Sequence, residues 1–236
     1  MKNRFTVCVE GNIASGKTTF LKLFNSNLQF DKELPQVSCK VIEEPVPSWQ
    51  NLCGHNILEM MYKDPHRWGH LFQSYVTLTM TQAHTLQIKE SIKLMERSLL
   101  TAERCFAANL YCSGIMSKPE YLVLKEWYAY LNSHPKINVS ADLIVYLRTT
   151  PETCFKRTIS RSRTEESAIS ISYLKDLHKL HEECLIEDKS LTTPVIVVDA
   201  EQDFHEFPHL LKSVQRNILN YYEQFRQNDK ENGSFS

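Results

Sequence analysis

The chain is 236 residues long, 42% hydrophobic and 23% charged, with a formal net charge of -1. That length accommodates one sizeable α/β domain or at most two small ones. A charge so close to zero leaves no global field to draw the protein to nucleic acid or an acidic membrane. Seven scattered cysteines (Cys8, Cys39, Cys53, Cys105, Cys112, Cys154 and Cys184) include no C-x-x-C pair, which argues against a disulfide framework or a zinc site and points to reduced thiols.

The first predicted strand covers 4–10, where Phe5-Thr6-Val7-Cys8-Val9 is apolar and partly β-branched. It leads straight into Gly11, Asn12, Ile13, Ala14, Ser15, Gly16, Lys17 and Thr18, a complete G-x-x-x-x-G-K-T, and Thr19 opens a helical run. Between a strand and a helix N-terminus, such a loop aims successive N–H groups inward and adds the helix dipole. The result is an anion nest for the phosphates of a nucleoside triphosphate. Lys17 is placed to reach the β- and γ-phosphates, and the Thr18 hydroxyl to hold Mg²⁺.

A second strand, 40–43, runs into Glu43-Glu44-Pro45. Alternation sends the two carboxylates to opposite faces, and the proline marks where the backbone leaves the sheet. A long helical region, 51–90, is interrupted at Pro65 and exceeds a simple crossover, so it is expected to wall a substrate pocket. Within it Gln73, Val76 and Met80 fall at i, i+3 and i+7, an apolar stripe with one polar member. A third strand, 92–95, is followed by Glu96-Arg97, and a fourth, 142–147, is apolar as when both faces are covered. The segment 155–166 then carries Arg157, Arg161 and Arg163. Alone, that run reads as a solvated basic helix face; beside a phosphate loop it reads as a lid whose guanidinium groups neutralise a moving phosphoryl.

With a fifth strand at 194–198, the pattern is that of a mostly parallel sheet covered on both faces, in a single domain over 1–225. The polar stretch 226–236 reads as a frayed tail. No apolar run reaches transmembrane length. The first strand begins so near Met1 that no targeting peptide is expected, which makes the compartment cytoplasmic or nuclear, or mitochondrial where an N-terminal segment has been removed. A GTPase would add D-x-x-G and N-K-x-D, and neither occurs.

Taken in order over about residues 5 to 200, five features resemble the deoxyribonucleoside kinase family: G-N-I-A-S-G-K-T-T, Glu44-Pro45-Val46 with Trp49, the stretch from Trp68 to Met80, Met95-Glu96-Arg97-Ser98, and the arginine segment. The resemblance implies a three-layer P-loop kinase fold with a five-stranded parallel sheet and an arginine-rich lid. It implies transfer of the γ-phosphoryl of ATP to the 5′-hydroxyl of a deoxynucleoside, with Mg²⁺. Glu44 would be the base for that hydroxyl, and Arg97 would hold the 5′-oxygen and the incoming phosphoryl. Glu96 would hold Mg²⁺ through water, its alternative being an ion pair that orients an arginine. Arg161 and Arg163 would contact the transferred phosphates, with Arg157 at the base of the lid.

The same resemblance makes Gln73 a bidentate amide contact to a pyrimidine, Trp49 and Phe106 the aromatic sandwich around it, and Tyr62 with Glu166 the pair on the 3′-hydroxyl. Met80 and Ala102 are neutral, as in the thymidine-accepting branch, and Val76 faces the same cavity. Thymidine and deoxycytidine are therefore the expected substrates, with deoxypurines weaker. A homodimer and feedback inhibition by a deoxynucleoside triphosphate are also implied.

Two departures stand out. Relatives commonly read S-A-R-Y where this chain has Thr101-Ala102-Glu103-Arg104, which is expected to bring an acid near the base pocket. Cys184 stands where relatives usually carry tryptophan, an expected packing change. His178 and His181 share a helical face without a third ligand, the pattern of a surface or capping pair. Two rival readings remain open at this point. A monophosphate kinase would need a cationic acceptor-phosphate site, for which 49–80 offers chiefly Lys63 and Arg67. A nucleotide sensor would have no use for a base aimed at an acceptor hydroxyl.

Overall fold

The computed structural model describes residues 4–26, 37–202 and 208–233. Its centre is a five-stranded, all-parallel sheet in the order β2-β3-β1-β4-β5, built from β1 (Phe5–Glu10), β2 (Cys39–Ile42), β3 (Ile92–Glu96), β4 (Leu143–Arg148) and β5 (Val195–Asp199). All five lie within one residue of their expected ends. Apolar side chains cover both faces of β1 and β3, which are buried along their whole lengths. In register, Val9 lies opposite Glu96 and Glu10 opposite Tyr146, so the carboxyl ends of the central strands finish side by side. That edge is where open α/β sheets bind ligands.

One face of the sheet packs on α1 (Lys17–Ser26) and on the C-terminal helix, through Phe20, Phe24, Leu211, Val214, Ile218 and Tyr222. The expected wall between β2 and β3 is three helices rather than one interrupted helix: α2 (Val46–Gln50), α3 (Ile57–Lys63) and α4 (Pro65–Thr85). Pro65 does not break a helix but starts one, because Asp64 accepts from the Arg67 N–H at 3.2 Å and proline needs no donor at that position. The wall ends against the sheet through Lys93. Its Nζ donates to the carbonyls of His84 (2.6 Å) and Leu86 (2.8 Å), satisfying acceptors that the end of α4 would otherwise leave unpaired.

After β3 the chain forms a short helix, α5 (Leu99–Thr101), a π-helical turn over Ala102–Ala107, α6 (Ala108–Cys112) and α7 (Lys118–Ser133). Beyond β4 come α8 (Pro151–Arg161), a 3-10 turn over Thr164–Ala168, α9 (Ile171–Glu182) and a second π-helical turn over Glu183–Glu187.

The last helix, α10 (Pro208–Gly233), corrects the expected frayed tail over residues 226–233. The packed stripe from Leu211 to Tyr222 nucleates a helix, and elongation through a polar but helix-compatible stretch costs little once that nucleus exists. Residues 234–236 of the expected tail lie outside the described residues. No helix among the described residues is long and apolar enough to cross a membrane.

Candidate active site

The loop after β1 is held by its own backbone and by a neighbouring helix. Gly11 has φ 144°, and a Cβ there would lie 2.6 Å from Ser15 Oγ and 2.7 Å from the Leu147 carbonyl, so no other residue fits. Asn12 Nδ2 donates to the Leu174 carbonyl at 2.8 Å, tying the loop to α9. Lys17 does not point straight out: its Nζ donates to the carbonyls of Asn12 (2.7 Å) and Gly11 (3.2 Å), and burial lowers its pKa to about 8. Thr18 Oγ1 donates to both oxygens of Glu96, at 2.9 and 3.1 Å.

Immediately past β3, Arg97 adopts φ 63°, a left-handed conformation that a long side chain rarely takes. Its guanidinium is locked on three sides: Nε pairs with Glu44 Oε1 at 2.9 Å, Nη1 donates to the Gly11 carbonyl at 2.9 Å, and the group lies 4.5 Å from the Phe106 ring centre. Glu44 therefore sits between the phosphate loop and the pocket, its carboxyl pushed up by burial and pulled down by Arg97. Glu43 also borders this cavity but is solvent-exposed, whereas the Glu44 side chain is largely buried against Arg97.

A cavity of about 320 Å³ opens from this point between the helical wall and the turn after β3. It brings together all the expected pocket residues: Trp49, Tyr62, Gln73, Val76, Met80, Ala102, Phe106 and Glu166. Gln73 is 4% exposed, and its Oε1 is buried with no hydrogen-bond partner among the described residues. Trp49 is fixed by a hydrogen bond from Nε1 to Thr79 Oγ1 at 3.0 Å and by an edge contact with Phe72. Sequence reasoning missed Phe72, Tyr173 and Ser98 in this lining. Phe72 shares the 72, 76, 80 face of α4 and periodicity could have found it; Tyr173, whose hydroxyl burial raises to about 12, left no local signal.

The lid follows α8, which ends at Ser162 in a left-handed conformation (φ 50°). Arg161 Nη2 and Arg163 Nη1 both reach the Glu166 carboxylate, at 2.5 and 3.4 Å. Beside it, Glu165 Oε1 accepts from Gln50 Nε2 (2.8 Å) and Asn56 Nδ2 (3.1 Å), bridging the lid to the wall. Arg157 sits at the base of the lid and donates to the carbonyls of Ala200 (2.9 Å) and Glu201 (3.0 Å). With Thr19, Arg161 and Arg163 it lines a second cavity over the phosphate loop.

Glu103 does not enter the base pocket. It pairs with Lys125 Nζ on α7 at 2.6 Å, while Arg104 pairs with Asp188 at 2.6 Å. The π-helical turn adds a residue per turn, so projecting side chains at α-helical spacing places both of them wrongly. Cys184 packs against Cys105, Ile144 and Tyr146. His181 is fully buried: Nδ1 bonds to the Leu177 carbonyl at 2.7 Å, and burial depresses the ring to about 3. No group of three or more His, Cys, Asp or Glu side chains able to hold a metal occurs among the described residues.

The family model described as deoxynucleoside kinase matches residues 7–223. Mitochondrial thymidine kinase 2 of Homo sapiens is 43% identical over 220 residues, covering 92% of this chain and 79% of that protein. Deoxycytidine kinase of Mus musculus is 32% identical over 229 residues, covering 85% of each. A probable deoxycytidine kinase of fowlpox virus is 31% identical over 219 residues, covering 91% of this chain and 87% of that protein.

Proposed function

The chain belongs to the deoxynucleoside kinase family, and from that premise we propose that it transfers the γ-phosphoryl of ATP to the 5′-hydroxyl of deoxyribonucleosides, preferring thymidine and deoxycytidine. The carrying observation is the Glu44–Arg97 pair, which stands where the phosphate loop meets a cavity lined by Gln73. A nucleoside with its base at Gln73 has its 5′-hydroxyl directed towards Glu44, which takes the proton as oxygen attacks. Arg97 steadies the same oxygen and the incoming phosphoryl. Arg161 and Arg163 exchange Glu166 for the phosphates, where spread-out charge develops during transfer. Tyr62 and Glu166 then face the 3′-hydroxyl, so that sugar binding and lid closure use one carboxylate.

Thr18 and Glu96 would hold Mg²⁺. Their hydroxyl and carboxylate oxygens already converge within hydrogen-bond distance, and a hard cation shared with phosphates takes few protein oxygens. When bound, the ion would neutralise charge on the β- and γ-phosphates. The neutral pair Met80 and Ala102 beside Gln73 supports pyrimidines of either kind, because an amide can turn to match donor or acceptor.

The reading extends to one catalytic domain in a reducing compartment (cytosol, nucleus, or mitochondrion where a targeting segment precedes the chain) and to a homodimer with feedback inhibition by a deoxynucleoside triphosphate. Support for the dimer is an apolar stripe on α7, where Val123, Trp127 and Tyr130 are each about half exposed, with Leu71 and Leu78 exposed on α4.

The test is ATP-dependent phosphorylation of thymidine, deoxycytidine, deoxyadenosine and deoxyguanosine, with thymidine monophosphate as control, by the parent and by Glu44→Gln. Pyrimidine turnover that falls by roughly 100-fold or more in the variant is expected. Turnover of the monophosphate alone would sink the proposal.

A further inference from the structure

We infer that Glu10 is a positioning residue for phosphoryl transfer, its carboxylate clamping the turn that carries Arg97 onto the base of the phosphate loop. The inference rests on the kinase reading above and adds a residue to it. Glu10 is the last residue of β1 and is 0% exposed. One oxygen accepts from Ser98 Oγ at 2.5 Å and the other from Thr101 Oγ1 at 2.8 Å.

Its neighbours complete the grip. Val9 O accepts from the Arg97 N–H at 2.9 Å, and Gly11 O accepts from Arg97 Nη1 at 2.9 Å. Three consecutive residues thus hold Arg97 by its backbone, by its guanidinium and by the turn that follows it. That turn needs holding. Arg97 is left-handed, and such a conformation persists only when its surroundings over-determine it. Nothing else among the described contacts fastens Ser98 and Thr101 to the loop strand.

A carboxylate is suited to this task because its two oxygens can accept from two hydroxyls at once. The site is costly, since burial drives the Glu10 carboxyl up to about 7 against the pull of Ser98, Arg97, Thr101 and Lys17. A glutamine keeps the shape but offers one acceptor oxygen, so one hydroxyl must turn away and the clamp is left half made.

The experiment compares the parent with Glu10→Gln, with Ser98→Ala/Thr101→Val, and with the triple variant. Single-turnover rates with ATP and thymidine are measured alongside both KM values. The expected result is a chemical step slowed roughly tenfold or more in Glu10→Gln, with both KM values within about threefold of the parent. The triple variant should be no slower than the slower of the two partial ones, because all three break one clamp. An unchanged rate in Glu10→Gln, a change confined to KM, or additive losses would each overturn the inference while leaving the kinase reading intact. The same cycle is read by urea unfolding, which needs no turnover. Additive stability changes there would overturn the clamp even if the parent phosphorylated nothing, and non-additive changes would support it.

Discussion

The base end and the phosphate end of the cleft are built on opposite plans. Where the base is proposed to bind, the walls are largely apolar and Gln73 presents a buried oxygen with no partner among the described residues. At the phosphate end, each charged group or hydroxyl expected to handle phosphate has a protein partner: Lys17 on loop carbonyls, Thr18 on Glu96, Arg161 and Arg163 on Glu166, and Arg97 on Glu44. The difference follows from what burial costs. An unpaired amide oxygen costs about 1–3 kcal/mol and can wait for a ligand, whereas an unpaired buried charge such as Lys17 or Arg97 costs several times more and must be paired at all times. Arg161 and Arg163 are about a third exposed, so their pairing with Glu166 is easily exchanged. On the proposed reading, base recognition is therefore preorganised, and phosphate recognition is an exchange of partners.

The sharpest way to break this comparison is at the lid. Replacing Arg161 or Arg163 with alanine should lower kcat by about 100-fold or more with a smaller change in the ATP KM, because the charge they meet is greatest in the transition state. Steady-state kinetics that showed only a raised KM would mean these arginines bind phosphate uniformly.

Next comes Gln73. Its replacement by leucine should cost kcat/KM for thymidine roughly ten- to a hundredfold, mostly in KM, since an interaction present in ground and transition states alike is lost. A loss confined to kcat would place Gln73 in the chemistry instead of recognition.

A third test concerns the neutrality of the core behind the base end. Burial lowers His84 from 6.5 to about 4, and its Nε2 accepts from the Leu99 N–H at 3.4 Å. A depressed histidine is neutral in the fold, so its contribution is complete above pH 6.5 and is lost as pH falls from there towards 4, where only the unfolded chain binds the proton. The parent should lose about 1.4 kcal/mol per pH unit more than His84→Gln across that window, read by urea unfolding. Parallel stability profiles would show that His84 is charged within the fold.

The smallest effect is expected at Glu103. Glu103→Ala should leave the thymidine and deoxycytidine KM values unchanged and cost at most about 1 kcal/mol of stability, since its Lys125 partner is half exposed and well screened. A shift in pyrimidine preference would return this acid to the pocket.

Much of this was legible in local patterns. The phosphate loop, the five strands and the arginine segment are contiguous, and each carries its own physical signature: a strand-to-helix turn, apolar β-branched runs, a cluster of like charges. Gln73, Val76 and Met80 were readable as one helical face, and family resemblance gave them a purpose. Where the reading failed, a local rule met something non-local. Glu103 was misplaced because a π-helical turn changes the angular spacing, and nothing in Ala102–Ala107 announces that turn.

Residue identity and spacing along the chain settled the sheet, the nucleotide loop and the class of chemistry, because those depend on groups within a few residues of one another. Which charge is paired with which was settled only by folding. Thr18 meets Glu96 across 78 residues, Glu10 meets Ser98 across 88, and Arg97 meets Gly11 across 86. The requirement that every buried charge find a partner acts on whatever the tertiary structure brings within 3 Å or so, and sequence separation has no part in it.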